Sequence, residues 1–356
     1  MTLVLTFASL FAAAIPMLLF LFVVWRWDLY DRKPLWLLGG SFLWGALGSV
    51  PLAILGQIFF DPWVSSMFGS DAYTINVAIG APITEEPAKA LILVLLIRAK
   101  RFNNICDGFV FGAAAGLGFG MTENAKYFIE SAIQVGEYID GTQQWIQLVV
   151  TRTLFSAVMH GAATSLVGAA TGLGKLYRGS VRTFLVCIGM ALAMGMHGLW
   201  NGLLVTEIIP GKEMLQLSER LGSGVDLEPF IYSAFFFVIE LTIVLSIFAA
   251  CTWWEGRQLR ISLEQEAQKG LIPQEHVPYL ASYWKRRQEG WLPTDIPKWE
   301  YIRLATHLAQ RGRQVELLSE KRREWYELDY RRLREEIRDL LKAETSHKAL
   351  ESIDTQ

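Results

Sequence analysis

Cysteine is nearly missing from this chain, and the three that occur, Cys106, Cys187 and Cys251, lie singly in three separate apolar blocks with no CxxC pair. Neither a disulfide framework nor a zinc ribbon follows from them. Excess charge is lacking too: 33 Lys plus Arg against 35 Asp plus Glu leave a formal net charge of −2. Charge is segregated by segment, so this balance carries no signal for nucleic acid, and no nucleic-acid partner is expected. There is no HExxH, so any metal site must be assembled across helices. No basic n-region precedes the first apolar block, which stays apolar past Ala12-Ala13-Ala14 and reads as a retained span rather than a signal peptide. Internal repeats are absent as well, although a transporter would be expected to show them together with paired broken helices.

What the chain has in quantity is apolar sequence, 52% of its residues. It gathers in seven blocks: Leu3 to Trp25, Leu35 to Phe60, Tyr73 to Ile97, Ile105 to Ile129, Ile146 to Gly172, Thr183 to Ile209 and Phe230 to Trp254. At about 1.5 Å rise per residue, each is long enough to cross a hydrocarbon core of about 30 Å. Basic residues cluster in alternate connections: Arg26, Arg32 and Lys33, then Arg98, Lys100 and Arg101, then Lys175, Arg178 and Arg182. The other connections carry Asp61 and Asp71, then Glu130, Glu137 and Asp140, then acids offset only by Lys212 and Arg220. The positive-inside rule predicts an outer N-terminus and a cytoplasmic C-terminus.

The expected fold is therefore all-α. A polytopic membrane domain of seven transmembrane helices covers residues 1–254, and a charged cytoplasmic helical region covers 255–356. In the latter, 19 Lys plus Arg and 18 Asp plus Glu replace the apolar blocks, and Pro273, Pro278, Pro293 and Pro297 interrupt its first part. A helix is predicted from Arg313 to Ala343 with Leu333, Ile337, Leu340 and Leu341 on one side. A solvated packing or regulatory role without chemistry is the plainest reading of this region.

The informative residues are the ionisable ones inside the blocks. Ala81-Pro-Ile-Thr-Glu-Glu-Pro-Ala-Lys-Ala90 sets two carboxylates and a lysine in the third block, with Glu85 at its midpoint. One acid at the centre of a membrane helix costs about 2.5–3.5 kcal/mol on insertion scales, so two need a partner or a function. Lys89 lies one turn after Glu85 and is expected to pair with it. Glu86, about 100° round the helix, is expected to lack that help.

The fourth block holds Gly108, Gly112, Gly116 and Gly120 at four-residue spacing, a smooth ridge against which another helix can pack closely. The ridge ends in Phe119-Gly-Met-Thr-Glu123-Asn124. Taken alone, Glu123 reads equally well as a snorkelling acid near the interface. His160 stands in the fifth block, and His197 and Asn201 share a face of the sixth at i, i+4. A lone membrane histidine is commonly interhelical glue. Here, however, His160 lies 14 residues from the outer end of its block, and His197 and Glu85 each lie 12 from theirs. Independent glue has no reason to match in depth, which favours a functional cluster. Glu240 in the seventh block is a weaker candidate for the same cavity.

This set of residue types suits hydrolysis of an amide. Glu85 can take a proton from water, and His197 and Asn201 can donate to the oxyanion of a tetrahedral intermediate. The alternative is a metal: His160, His197 and Glu123 offer two imidazoles and a carboxylate, a common catalytic zinc set with a fourth position left for water. An ion-coupled transporter or a non-catalytic scaffold would use the same midplane cluster differently.

The motifs Glu85-Glu86-Pro-Ala-Lys89, Phe119-Gly-Met-Thr-Glu123-Asn124, His160 and His197-Gly-Leu-Trp-Asn201, in this order on successive blocks, resemble those of the PrsW intramembrane proteases, relatives of the type II CAAX prenyl endopeptidases. The resemblance covers residues 26 to 210 and leaves the charged C-terminal region outside it. It implies a membrane-embedded protease of the prokaryotic plasma membrane, a metal-dependent peptide hydrolase whose substrate is a single-span membrane protein such as an anti-sigma factor. In the CAAX relatives the first Glu of the motif is the water-activating base and the last His and Asn are the oxyanion donors, which carry over to Glu85, His197 and Asn201. Where those relatives have a histidine, this chain has Glu123, so their metal or water geometry does not transfer unchanged.

Overall fold

The computed structural model describes residues 2–99, 101–135, 141–177, 179–206, 228–317 and 320–354. Lys100, Glu137, Asp140, Arg178, Lys212 and Arg220, used above for orientation, lie outside them. All regular elements among the described residues are helical: α1 (Thr2–Trp27), α2 (Leu35–Leu43), α3 (Ser49–Phe68), α4 (Ala72–Ile75), α5 (Ala81–Leu96), α6 (Ile105–Gln134), α7 (Gly141–Thr151), α8 (Ala157–Gly174), α9 (Gly179–Thr206), α10 (Glu228–Gln268), α11 (Val277–Leu280), α12 (Lys298–Leu317) and α13 (Glu320–Asp354), with short 3₁₀ and π turns between some of them. The chain divides into two compact units, one of residues 1–28 and 33–248, the other of 29–32 and 249–356.

Among the described residues, six helical stretches are long and apolar enough to cross a membrane, five of them within the first unit and the sixth, Phe237–Gln268, running on into the second. One of them, Leu35–Leu96, is 62 residues long and holds both the second and the third expected spans. It reverses at Gly69, whose φ of +52° favours glycine. Its arms run antiparallel, for Gly56 meets Thr84 while Phe60 meets Gly80. The outer faces are apolar, with Phe59, Trp36 and Leu3 all more than 70% exposed. Contiguous surface of this kind is foreign to a water-soluble monomer and natural to a lipid-facing one.

The centre of this unit is the pair α6 and α8. Their stretches are 83% and 78% buried, against 17% for α1 and 22% for α9. The glycine ridge explains the arrangement. A Cβ on Gly108, Gly112 or Gly116 would run into the carbonyls of Gly168, Thr164 and His160 on α8, so the backbones touch along three turns. The other side of α6 is equally close to α2 and the turn after it, where Gly118 faces the Phe42 carbonyl and Gly45 faces that of Ala115. Asn104 caps α6 by accepting from the Asp107 amide at 2.9 Å, and Asp107 in turn pairs with buried Lys33 at 2.8 Å.

Three π-helical turns interrupt the bundle, at Trp44–Gly48, Asn76–Gly80 and Arg152–Ser156. Such a turn leaves backbone carbonyls open to side chains. Thr122 donates to the Ala46 carbonyl at 2.7 Å and Asn201 to that of Val77 at 3.0 Å. Two of the three turns sit immediately before the segments that carry Glu85 and His160.

The second unit is a small helical domain with its own core of Leu259, Leu263, Leu280, Tyr301, Leu308, Leu333 and Ile337. Leu340 and Leu341 pack against that core, as their spacing predicts. The helix expected over 313–343 is divided: Arg313 belongs to α12, and α13 begins at Glu320.

Candidate active site

Helices α5, α6, α8 and α9 bring the expected residues to one place. Glu85, Glu86 and Lys89 come from α5, Glu123 and Asn124 from α6, His160 from α8, and His197 and Asn201 from α9. Glu86 and Lys89 are fully buried, and Glu85, His160 and His197 are nearly so. Lys89 Nζ is the hub. It donates to Glu86 at 2.8 Å, to Glu85 at 3.2 Å and to His160 Nδ1 at 2.9 Å, and it stands 3.9 Å above the Phe119 ring. Lys89 therefore serves both carboxylates, and Glu86 is the closer partner, contrary to the expectation that Glu86 is unaided. The reason is that i+3 lies on the same helical face as i+4.

Each histidine spends one ring nitrogen on a carboxylate. His197 Nδ1 is 2.8 Å from Glu86 Oε1, and His160 Nε2 is 2.6 Å from Glu123 Oε2. Lysine only donates, so His160 Nδ1 accepts from Lys89 and its Nε2–H donates to Glu123. In the same way His197 donates from Nδ1 to Glu86. Its Nε2 then points toward Glu85 Oε2 at 3.9 Å, and the two rings meet edge to face with centroids 4.9 Å apart. The two remaining nitrogens, His160 Nδ1 and His197 Nε2, thus turn inward to Lys89 and Glu85.

The two adjacent glutamates are not equivalent. Glu86 is saturated, since Thr164 completes it from α8 at 3.0 Å. Glu85 has a distant partner in Gln57 at 3.3 Å and opens on a cavity of about 520 Å³, which Gln57, Glu123, Arg152, His160 and Asn201 also line. Glu240 does not line it. It borders a separate cavity, because α10 packs on the opposite side of α8.

Three contributors went unnoticed in the sequence. Arg152, in the π turn before α8, bonds Glu123 at 2.9 Å and Asn124 at 3.1 Å while its guanidinium lies 3.9 Å from the Tyr127 ring. A lone arginine inside an apolar block was a signal that could have found it. Thr164 stands one turn after His160 on the same face, and this spacing was also readable. Gln57 carries no signal without knowing that α3 folds back on α5. Asn201 lies at the cavity but gives its amide to Val77, and Asn124 Nδ2 has no partner among the described residues.

Glu85, His160 and His197 can each offer one ligand atom, and these atoms lie within 4.8 Å of one another in a buried setting. Two imidazoles and a carboxylate make a donor set suited to zinc, and a carboxylate on the outer nitrogen of each ring is how metal-bound histidines are usually oriented. The donor set suits a divalent cation, which would take the place of the Lys89 ammonium at His160 Nδ1 and Glu85. Glu123, expected as a ligand beside the histidines, sits instead on the outer nitrogen of His160.

A family model described as "PrsW family intramembrane metalloprotease" matches residues 33–241. Among curated proteins, the chain is similar to Protease PrsW of Clostridioides difficile (strain 630), with 37% identity over 129 residues, 35% of this chain and 53% of that protein. It is similar to Protease PrsW of Shouchella clausii (strain KSM-K16), with 26% identity over 188 residues, 52% of this chain and 78% of that protein. A third, from Geobacillus kaustophilus (strain HTA426), is 20% identical over 181 residues, 51% of this chain and 72% of that protein. The match thus spans about half the length of the first of these relatives. No solved structure matches the chain.

Proposed function

The chain belongs to the PrsW family of intramembrane metalloproteases, and from that premise we propose that it is an integral membrane protease that hydrolyses a peptide bond of a single-span membrane protein at the Glu85 cavity. One observation carries the reading. Both histidines are oriented from outside by a glutamate, His197 turns its inner nitrogen toward Glu85 and His160 turns its own to the Lys89 ammonium that Glu85 shares, at the wall of a cavity large enough for a short peptide segment. A divalent cation held by Glu85, His160 and His197 would supply Lewis-acid stabilisation of charge at the scissile carbonyl. The protein's own groups do the rest. Glu85 divides its oxygens, Oε2 toward Lys89 and Oε1 toward Gln57, and the latter takes the proton from water. Glu86 and Glu123 hold the rings, and Arg152 holds Glu123. Asn201 has a second amide hydrogen for the oxyanion, since only one is spent on Val77.

This arrangement favours metal assistance over His197 as an oxyanion donor, because with its proton on Nδ1 the inward nitrogen of that ring is an acceptor. The test is cleavage of a single-span membrane protein, such as an anti-sigma factor, by the purified full-length protein with bound metal measured in parallel. A strong zinc chelator is expected to abolish cleavage and remove about one ion per chain, and added zinc to restore both. Undiminished cleavage by metal-free protein would sink the metal reading, and failure to cut any candidate the cell processes would sink the protease reading.

The same proposal sets the protein in a prokaryotic plasma membrane with the N-terminus outside and the region after 254 in the cytoplasm. Cysteines introduced singly at Asp71, beside the Gly69 reversal, and at Glu275 should react with an impermeant thiol reagent from opposite sides of the membrane. Reaction of both from one side would overturn the seven-span topology.

A further inference from the structure

A second cavity, of about 280 Å³, lies among α1, α6, α8 and α10, away from the Glu85 site. Phe20, Val24, Phe109, Leu117, Val158 and Phe237 supply much of its wall. Besides the Trp27 indole, two polar side chains border it, and they differ. Ser165 spends its hydroxyl on the Ala162 carbonyl at 2.6 Å. Glu240 is 92% buried, being only 8% exposed, and its Oε2 has no hydrogen-bond partner among the described residues. A carboxyl group in apolar surroundings without a donor is costly whether or not it carries a proton. It persists where something else satisfies it.

We propose that this cavity binds a small aliphatic molecule ending in one N–H- or O–H-bearing head group, with the head donating to Glu240 and the aliphatic body against the phenylalanine and leucine walls. The size of the cavity sets the class. Small-molecule sites run from about 300 to 1,000 Å³, so this one suits a compact ligand. An alkylamine and an alkanol share the required chemistry, and the carboxyl disfavours an anionic head.

The test uses the full-length protein in nanodiscs of phosphatidylcholine, a lipid whose headgroup has no N–H or O–H donor. Hexylamine, hexanol and hexane are titrated while thermal unfolding is followed. Hexylamine or hexanol should raise the unfolding midpoint saturably, by roughly 5 °C at a hundredfold excess over its Kd, and hexane should not. Glu240→Leu should abolish the rise. Glu240→Gln, which keeps an acceptor oxygen, should retain the response to hexanol. If wild type and Glu240→Leu shift equally, or hexane acts like the donors, partition into the bilayer explains the effect and the site is refuted. A wild type that responds to neither donor refutes it as well.

Discussion

Glu85→Gln is expected to lower kcat by about 10²–10⁴-fold with little change in KM or in the yield of folded protein. The substitution keeps the shape of the side chain and its hydrogen bond with Gln57 but removes the group that takes a proton from water. Little structural loss should follow, because Glu85 is the carboxylate that faces the cavity and Lys89 retains its closer bond to Glu86. Glu86→Gln makes the contrast. Glu86 holds Lys89, His197 and Thr164 at once and does not line the Glu85 cavity, so its substitution should reduce folded protein and metal content together with activity. Because Glu85 is itself a proposed metal ligand, bound metal should fall in both variants, so rates and the yield of folded protein measured side by side decide the matter. An active Glu85→Gln protein would remove Glu85 from the chemistry and leave the cluster as packing or as an ion site.

The difference between these two neighbours marks how far the sequence reaches. Three ionisable side chains at matched depth announced that α5, α8 and α9 converge, and the glycine ridge announced that α6 has a helix against its backbone, because depth and small-residue spacing are properties of single helices. What single helices do not contain is the direction from which others approach. Lys89 is within reach of Glu85 and Glu86 on α5 alone, and only the arrival of His160, His197 and Thr164 settles that Glu86 is saturated and Glu85 opens on the cavity. The same limit hid which face α3 presents to α5, the face that brings Gln57 to Glu85. The π turn at Asn76–Gly80 is a second kind of missing information. It opens the Val77 carbonyl to Asn201, and nothing in the spacing of His197 and Asn201 foretells it. Arg152 was readable as a charge in an apolar block, but its partner on α6 was not.

Lys89→Met should be the most damaging single substitution for stability, at about 3–5 kcal/mol. Lys89 is fully buried, and its ammonium is the cation shared by Glu85, Glu86 and His160 Nδ1. Methionine replaces the length of the side chain and fills the space above Phe119, so the loss comes from charge rather than from a cavity. Two carboxylates then remain buried beside one another with one cation fewer, which is the expensive half of a broken ion pair. The cost should therefore shrink when the acids are removed too: Lys89→Met with Glu86→Gln should be more stable than Lys89→Met alone, a non-additivity that a double-mutant cycle reads directly. Zinc in excess should stabilise Lys89→Met more than it stabilises the wild type, since a divalent charge among Glu85, His160 and His197 takes over what the ammonium did. Unfolding of the reconstituted protein in denaturant measures all three effects. A Lys89→Met protein as stable as the wild type would mean that the acids on α5 do not depend on Lys89, and the account of the site as a charge-balanced cluster centred on that lysine would fail.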